Sequence, residues 1–265
     1  MAARLLSERR GAVLLLRISN PEARNALHPD VYRDGAAALR AAGADHGVRA
    51  VVIAGEGEHF SAGGNLHRLR ENRSAEPAVQ AASIDLLGAW ITAIRDCPKP
   101  VIASVEGVAA GAGFSLALAC DLLFAAEDAR FVMSYVKVGL TCDGGASHFL
   151  AARLPYPLAY ELLAGGQPVG APRLHALGLV NALAPRGEAL AAALARASEL
   201  AEGPGFALGR IKSLLAARER EALLHQLARE RDDFVAALHH DDGGEGIEAF
   251  LARRPPRFNR EAGER

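Results

Sequence analysis

The sequence predicts a layered α/β fold that is followed by a helical C-terminal region. In the first half of the chain, apolar runs rich in β-branched residues alternate with segments whose apolar residues have helical spacing. This alternation is typical of layered α/β proteins. After Gly144 the strand signal nearly disappears, and Ala, Leu, Arg and Glu dominate. We therefore expect a core domain over residues 1–200 and a helical region for self-association, or as a lid, over residues 201–265.

The predicted strands are residues 11–18, 48–54, 100–105 and 122–125. Helices are predicted at residues 30–42 and 78–94, because a proline, a common first helical residue, stands just before each segment. The later predicted helices are residues 146–154, 157–163, 172–177, 188–201, 206–217 and 220–238. Near the N-terminus, the apolar run 12–16 stops at Arg17 and is too short for a signal peptide or a membrane span.

Charge and cysteine content narrow the classes of partner. With 30 basic and 31 acidic side chains the net charge is −1, so nucleic acid and anionic membranes are not expected as partners. Cys97, Cys120 and Cys142 are an odd number and form no CxxC pair, which favours reduced thiols and a cytoplasmic location. A specific small ligand is the expected partner.

Two glycine-rich segments are candidate ligand-binding loops. The first, residues 59–66 (HFSAGGNL), follows a predicted strand, and its small residues let backbone N–H groups approach a ligand. A plain glycine loop would look the same. The second, residues 106–115 (EGVAAGAGFS), leads from a strand into an apolar helix, whose N-terminal N–H groups suit an oxyanion.

Two other interpretations of the second segment are disfavoured. A dinucleotide-binding loop needs GxGxxG, but the third glycine is absent after Gly111 and Gly113. A nucleophile elbow needs its serine directly after the strand, whereas Ser115 follows about ten residues later. Ser115 therefore fits the first turn of a helix better than a hydrolase nucleophile.

Together with Arg24-Asn25-Ala26-Leu27 and the late tract 177–181 (LGLVN), the two loops resemble the crotonase (enoyl-CoA hydratase/isomerase) superfamily over almost the whole chain. The branch that looks closest contains the phenylacetate-pathway isomerases and alternative oxepin-CoA hydrolases. The resemblance implies a spiral core of ββα units, a C-terminal helical region and assembly into homotrimers or hexamers. It also implies an acyl-CoA substrate, with coenzyme A entering as part of the thioester and no separate cofactor or metal.

The resemblance also assigns residues. Two backbone N–H groups, those of Gly64 and Ala112, would form the oxyanion hole. The residues expected to contact coenzyme A are Arg24, Ala26, Ala62, Leu66, Phe250 and Arg253. For Arg24 and Arg253, a solvated surface arginine is the alternative.

The chain departs from the hydratase pattern at two positions. Ser115 and Tyr135 stand where typical hydratases carry the two glutamates that activate water, which puts simple hydration in doubt. Asp143, in a glycine-rich turn, stands where several isomerase branches keep a catalytic aspartate. We therefore expect Asp143 to be the acid–base residue, with a pKa raised by burial. The alternative is a helix cap for the segment that begins near Ala146.

Other ionisable groups carry weaker signals. His148 is five residues past Asp143, but a lone histidine on a helix is usually structural. His239 and His240 point about 100° apart on a helix, so they make a poor metal site. Three activities remain open: proton transfer or hydration on an enoyl-CoA, ring opening of an oxepin-CoA-type ester, and coenzyme A binding without catalysis.

Overall fold

The computed structural model describes residues 3–258 and contains nine strands and eleven helices in that range. The strands are β1 Arg4–Arg10, β2 Val13–Ser19, β3 Ala50–Gly55, β4 Val101–Val105, β5 Val108–Ala110, β6 Leu122–Ala126, β7 Arg130–Val132, β8 Val169–Gly170 and β9 Ala182–Ala184. The helices are α1 Pro29–Ala44, α2 Leu66–Arg73, α3 Pro77–Asp96, α4 Ala112–Ala119, α5 Ala146–Arg153, α6 Tyr156–Gly165, α7 Ala171–Ala176, α8 Ala189–Glu202, α9 Gly205–Ala217, α10 Arg220–His239 and α11 Asp241–Leu251.

The strands form two sheets that meet near the glycine-rich loops. The larger has the order β1-β2-β3-β4-β6-β9, with β1 antiparallel to β2 and the others parallel. The smaller has the order β5-β7-β8. Each of the connections β3–β4 and β4–β6 carries helical segments, as parallel strands require. The predicted α/β class is confirmed.

Strand alternation divides the core between the two faces of the larger sheet. Leu16 and Val51 face the cluster that contains α1 and α3, whereas Leu15 and Val52 face α8. A parallel strand that is buried on both faces has apolar residues at nearly every position. The apolar run at residues 48–54 has this pattern.

Helix α3 is long and apolar enough to cross a membrane by length and composition. Its side chains instead pack inside the protein, with Leu87, Trp90 and Ile91 fully buried against α1 and α10. It is therefore the central helix of the fold.

The C-terminal region is helical, as expected, with α8 on the sheet and α9–α11 after it. Helix α10 packs along α3 and α5, which brings the end of the chain to the core. The division at residue 200 stays a prediction, and residues 259–265 of the second segment lie outside the described residues.

Candidate active site

Backbone hydrogen bonds hold the two glycine-rich loops side by side. Ser61 and Ala109 form a parallel bridge, in which Ser61 N–H donates to Val108 O and Ala110 N–H donates to Ser61 O. The approach leaves no space for a side chain at Gly63, where a Cβ would lie 2.6 Å from the carbonyl oxygen of Ala110. A glycine is therefore needed at position 63 for the contact between the loops.

The segment Arg24–Leu27 braces the first loop from the other side. Ala62 N–H donates to Arg24 O, and Leu27 N–H donates to Gly63 O. Asn25 is buried with a positive φ of 57°, and its side-chain amide donates to the carbonyls of Glu56 and His59. Asn25 therefore fixes the position of the loop rather than touching a ligand.

This bracing leaves two backbone donors unused. Within residues 3–258, neither Gly64 N–H nor Ala112 N–H donates to a protein acceptor. Ala112 is the first residue of α4, where an N–H has no partner inside the helix. Both residues line one cavity of about 320 Å³. The structure thus brings together the two donors predicted for the oxyanion hole.

Asp143 lines the same cavity and is only 6% exposed. Burial raises its pKa from 3.8 to about 7, although the hydrogen bond from the Tyr135 hydroxyl to Asp143 Oδ1, at 2.7 Å, acts in the lowering direction. The upward shift agrees with the expectation from the sequence. A carboxyl group with a pKa near neutrality can both accept and release a proton at physiological pH.

The helix-cap alternative for Asp143 is wrong. Helix α5 begins at Ala146, as expected, but Gly145 is its N-cap and the cap makes no side-chain hydrogen bond. Glu230 of α10 instead accepts from Gly145 N–H at 2.6 Å and from Ser147 N–H at 2.8 Å. A carboxylate from a distant helix therefore supplies the capping charge, and Asp143 is left for the cavity.

Two further polar groups complete the surroundings of Asp143. The Ser115 hydroxyl donates to the backbone carbonyl of Asp143 at 2.9 Å, and it lies 3.3 Å from the Tyr135 hydroxyl. Burial and the nearby Asp143 carboxyl raise the pKa of Tyr135 well above its usual value, so the phenol stays protonated. Ser115 and Tyr135 hold the turn that carries Asp143, and neither supplies a carboxylate.

Four of the six residues expected to contact coenzyme A also line the cavity: Ala26, Ala62, Leu66 and Phe250. Phe250 is 60% exposed at its rim. Arg24 and Arg253 are exposed residues outside the cavity lining, both with positive φ. Their contacts to coenzyme A stay predictions.

The weaker candidates lie elsewhere. His148 Nε2 is 3.8 Å from Glu219 and does not line the cavity. His240 caps α11, with its Nδ1 accepting from Asp242 N–H. Over residues 3–258, no group of three or more His, Cys, Asp or Glu side chains could hold a metal ion.

Comparison with known proteins agrees with this geometry. The enoyl-CoA hydratase/isomerase family model matches residues 8–261. The chain belongs to this family. It is 34% identical over 254 residues to 2,3-dehydroadipyl-CoA hydratase of Escherichia coli (strain K12), covering 96% of this chain and 98% of that relative. It is 32% identical over 259 residues to 1,2-epoxyphenylacetyl-CoA isomerase of the same organism, covering 96% and 97%.

Solved structures show the same family. The crystal structure of an enoyl-CoA hydratase from Polaromonas sp. JS666 is 54% identical, with a TM-score of 0.80, covering 97% of this chain and all of that one. An enoyl-CoA hydratase from Mycobacterium avium subsp. paratuberculosis K-10 has a TM-score of 0.87 at 32% identity, covering 98% and 100%. The crotonase resemblance is therefore confirmed, and this chain is an enzyme of the enoyl-CoA hydratase/isomerase family.

Sequence reasoning missed several polar residues of this hydratase/isomerase-family site. Tyr32, Arg68 and Gln80 line the cavity from α1, α2 and α3, and Glu230 of α10 reaches the turn that follows Asp143. They are far apart in sequence and belong to no motif. One sequence feature could have indicated them: a polar residue such as Gln80 occupies a position on the apolar, buried face of its helix.

Proposed function

We propose that this enzyme moves a proton on the acyl chain of a coenzyme A thioester, through an enolate held by Gly64 and Ala112 N–H, with Asp143 as acid and base. One observation carries the proposal. Asp143 is the only carboxylate among the described residues that line the cavity shared with both unused donors. A base beside two donors is the minimum that enolate chemistry requires.

The reaction would proceed in two proton transfers. Ionised Asp143 removes a proton from a carbon of the acyl chain, and the developing charge on the thioester oxygen is stabilised by the N–H groups of Gly64 and Ala112. Each such donor contributes about 2.7–4 kcal/mol in a water-excluded site. Protonated Asp143 then returns the proton to a different carbon, which shifts the double bond.

A single carboxylate favours isomerisation over hydration. Glu230 is the other buried carboxylate of the described chain, but it is occupied by Gly145 and Ser147 and does not line the cavity. Hydration is the second candidate, because the Tyr135 hydroxyl lies beside Asp143 where relatives place a glutamate and could orient a water molecule. Relatives of both kinds, a hydratase and an isomerase, are similar to this chain.

The isomerase relative named for 1,2-epoxyphenylacetyl-CoA also supports ring-derived esters of the oxepin-CoA type as an alternative substrate class. Membership of an enzyme family rules out the alternative of coenzyme A binding without catalysis, which the loss of both glutamates had left open. Retention of Asp143 and both donors favours an active enzyme.

The test uses mass spectrometry to measure chemical conversion of the acyl group and exchange of its hydrogens for deuterium. The enzyme is incubated in D₂O with crotonyl-CoA, a 3-enoyl-CoA, 2,3-dehydroadipyl-CoA and a ring-derived CoA ester. We expect deuterium incorporation and a shifted double bond with at least one ester, and a fall in kcat of about 10²–10⁴-fold in Asp143→Asn with little change in affinity. Asp143→Asn with wild-type activity would contradict the role of Asp143, and absence of exchange with every ester would contradict the proposed proton transfer.

We further propose that the enzyme is cytoplasmic and assembles as a homotrimer or hexamer. Helix α9 contains no buried residue, and Phe206, Leu214 and Leu215 are each more than 65% exposed. In α10, by contrast, Leu223 and Phe234 are buried in the chain's own core. Self-association would cover the apolar face of α9. Light scattering at micromolar concentration should give a mass of three or six chains, and a monomeric mass would contradict assembly.

A further inference from the structure

The cavity is also lined by a group of polar side chains that the proposed proton transfer does not use. Three residues from successive helices, Tyr32 of α1, Arg68 of α2 and Gln80 of α3, line the cavity together. Tyr32 and Gln80 are only 6% and 3% exposed. An acyl chamber for a plain hydrocarbon chain would have no need of these groups, since a buried polar group without a partner costs free energy.

The donors of this group are largely unused. Within residues 3–258, the side-chain hydrogen bond of Gln80 is the one that its amide oxygen accepts from Asn72 at 2.7 Å, which leaves its amide nitrogen, like the Tyr32 hydroxyl on the same cavity, available to a ligand. Arg68 Nη1 donates to the hydroxyl of Ser83 at 2.9 Å. These donors line the cavity, so a ligand in the cavity can accept hydrogen bonds from them.

Arg68 is directed into the protein and lacks a counter-ion. Its guanidinium contacts Ser83, which is only 5% exposed, and it forms no ion pair among the described residues. Neighbouring arginines differ: Arg70 on the same helix is exposed and lies 4.0 Å from Glu248. A partly buried guanidinium with free donors is a ready partner for a carboxylate.

The position of Tyr32, Arg68 and Gln80 in the cavity determines where the charged group of a bound ligand would lie. Tyr32 lies within electrostatic reach of both Asp143, which raises its pKa, and Arg68, which opposes that rise. Tyr32 and Gln80 are almost fully buried, whereas Phe250 at the rim of the same cavity is 60% exposed, so this group lies away from the rim, where the end of a bound acyl chain would be. The cavity of about 320 Å³ limits that chain to a short one.

We propose that the enzyme selects short acyl-CoA thioesters that carry a carboxylate at the far end of the acyl chain, and that Arg68, Tyr32 and Gln80 bind this carboxylate. This inference rests on the proposed binding of an acyl-CoA in the cavity. Arg68 would supply charge, and Tyr32 and Gln80 would supply neutral donors. The Asp143 carboxyl, protonated for part of the time near neutral pH, limits the repulsion between two carboxylates in one chamber.

The test measures binding of unreactive saturated thioesters, so that it does not depend on turnover. The ligands are adipyl-CoA, its ω-methyl ester and hexanoyl-CoA, titrated calorimetrically into wild type, Arg68→Gln and Arg70→Gln. We expect wild type to bind adipyl-CoA at least about 10-fold more tightly than the methyl ester, in line with hydrogen bonds to a charged group. Arg68→Gln should remove that preference while its affinity for hexanoyl-CoA stays unchanged.

Arg70→Gln is the matched control, since it removes an arginine from the same helix outside the cavity, and its preference should equal that of wild type. Unchanged affinity of Arg68→Gln for hexanoyl-CoA shows that the variant is folded, and Arg68→Lys should restore part of the preference. Equal affinity of wild type for all three thioesters, or a preference that survives Arg68→Gln, would overturn this inference alone. Failure of wild type to bind any of them would overturn the proposed function as well.

Discussion

Replacing Tyr135 by Phe tests whether Asp143 titrates as the catalytic group. The change removes one hydroxyl, which donates to Asp143 Oδ1 at 2.7 Å and favours the ionised carboxylate. A hydrogen bond to a charged group contributes about 1.5–3 kcal/mol, and one pKa unit corresponds to about 1.4 kcal/mol. Tyr135→Phe should therefore raise the pKa of Asp143 by about 1–2 units above its present value.

The assay is the pH dependence of kcat/KM on any accepted acyl-CoA. Because Asp143 must be ionised to remove a proton, kcat/KM should rise through about pH 7 in the wild type. In Tyr135→Phe the rise should move about 1–2 pH units higher, which lowers kcat/KM at pH 7 by roughly 5- to 50-fold and restores it at high pH. Asp143→Asn should show no such rise.

Glu230 provides a control of opposite sign. Its charge raises the pKa of Asp143, so Glu230→Gln should move the rise to lower pH. A Tyr135→Phe profile that coincides with wild type, or one that is depressed equally at every pH, would refute the proposed titration of Asp143.

Three further predictions concern the donors, the catalytic turn and the buried charge. Ala112→Pro should lower kcat by about 10²–10³-fold, because the first position of a helix accepts proline but the N–H is lost. Ala112→Gly keeps the N–H donor and should be tolerated. A fully active Ala112→Pro enzyme would contradict the proposed oxyanion hole. Glu230→Gln should lower the free energy of unfolding, measured in urea, by about 1–3 kcal/mol. Gly145 N–H and Ser147 N–H donate to different oxygens of the Glu230 carboxylate, and a glutamine keeps only one oxygen and no charge. An unchanged urea midpoint would show that this cap does not contribute to stability. Because the folded-state pKa of Asp143 is raised from 3.8 to about 7, its contribution to stability is complete below about pH 4 and is lost as pH rises to 7. The melting temperature of wild type should therefore fall relative to that of Asp143→Asn as pH rises over this range. Melting temperatures that change in parallel would exclude a buried, titrating Asp143.

The strands and helices with strong periodicity could be predicted from the sequence, but their irregular neighbours could not. Strand β1 carries charged residues at Arg4, Glu8 and Arg10 because it is an edge strand that pairs with β2 alone, so it has no apolar run. Helix α11 contains Gly243, Gly244 and Gly246, which lower helix propensity. It forms because it packs against α2 and α10, a tertiary effect that no local pattern records.

The candidate site divides in the same way. Gly64, Ala112 and Asp143 were assigned through the family resemblance of their glycine-rich segments, and the structure places all three on one cavity. The helix-cap alternative for Asp143 was reasonable from spacing. It failed because the capping carboxylate, Glu230, comes from 85 residues beyond Gly145. Tyr32, Arg68 and Gln80 could not be predicted as one group for the same reason, since they meet only after three helices have packed.

The link between Glu230 and Gly145 also bears on how the protein is made. The two donor loops and the turn of Asp143 are all synthesised well before α10, so a growing chain can form most of the fold while the N-terminus of α5 still lacks its acceptor. The turn between Asp143 and α5 is completed only when residue 230 has left the ribosome and α10 has packed onto α3 and α5. A chain that stops short of α10 would therefore lack the acceptor that orders this turn, and it would also lack Phe234 and Phe250, which line the cavity. Synthesis of the C-terminal helices is thus needed to complete the cavity itself.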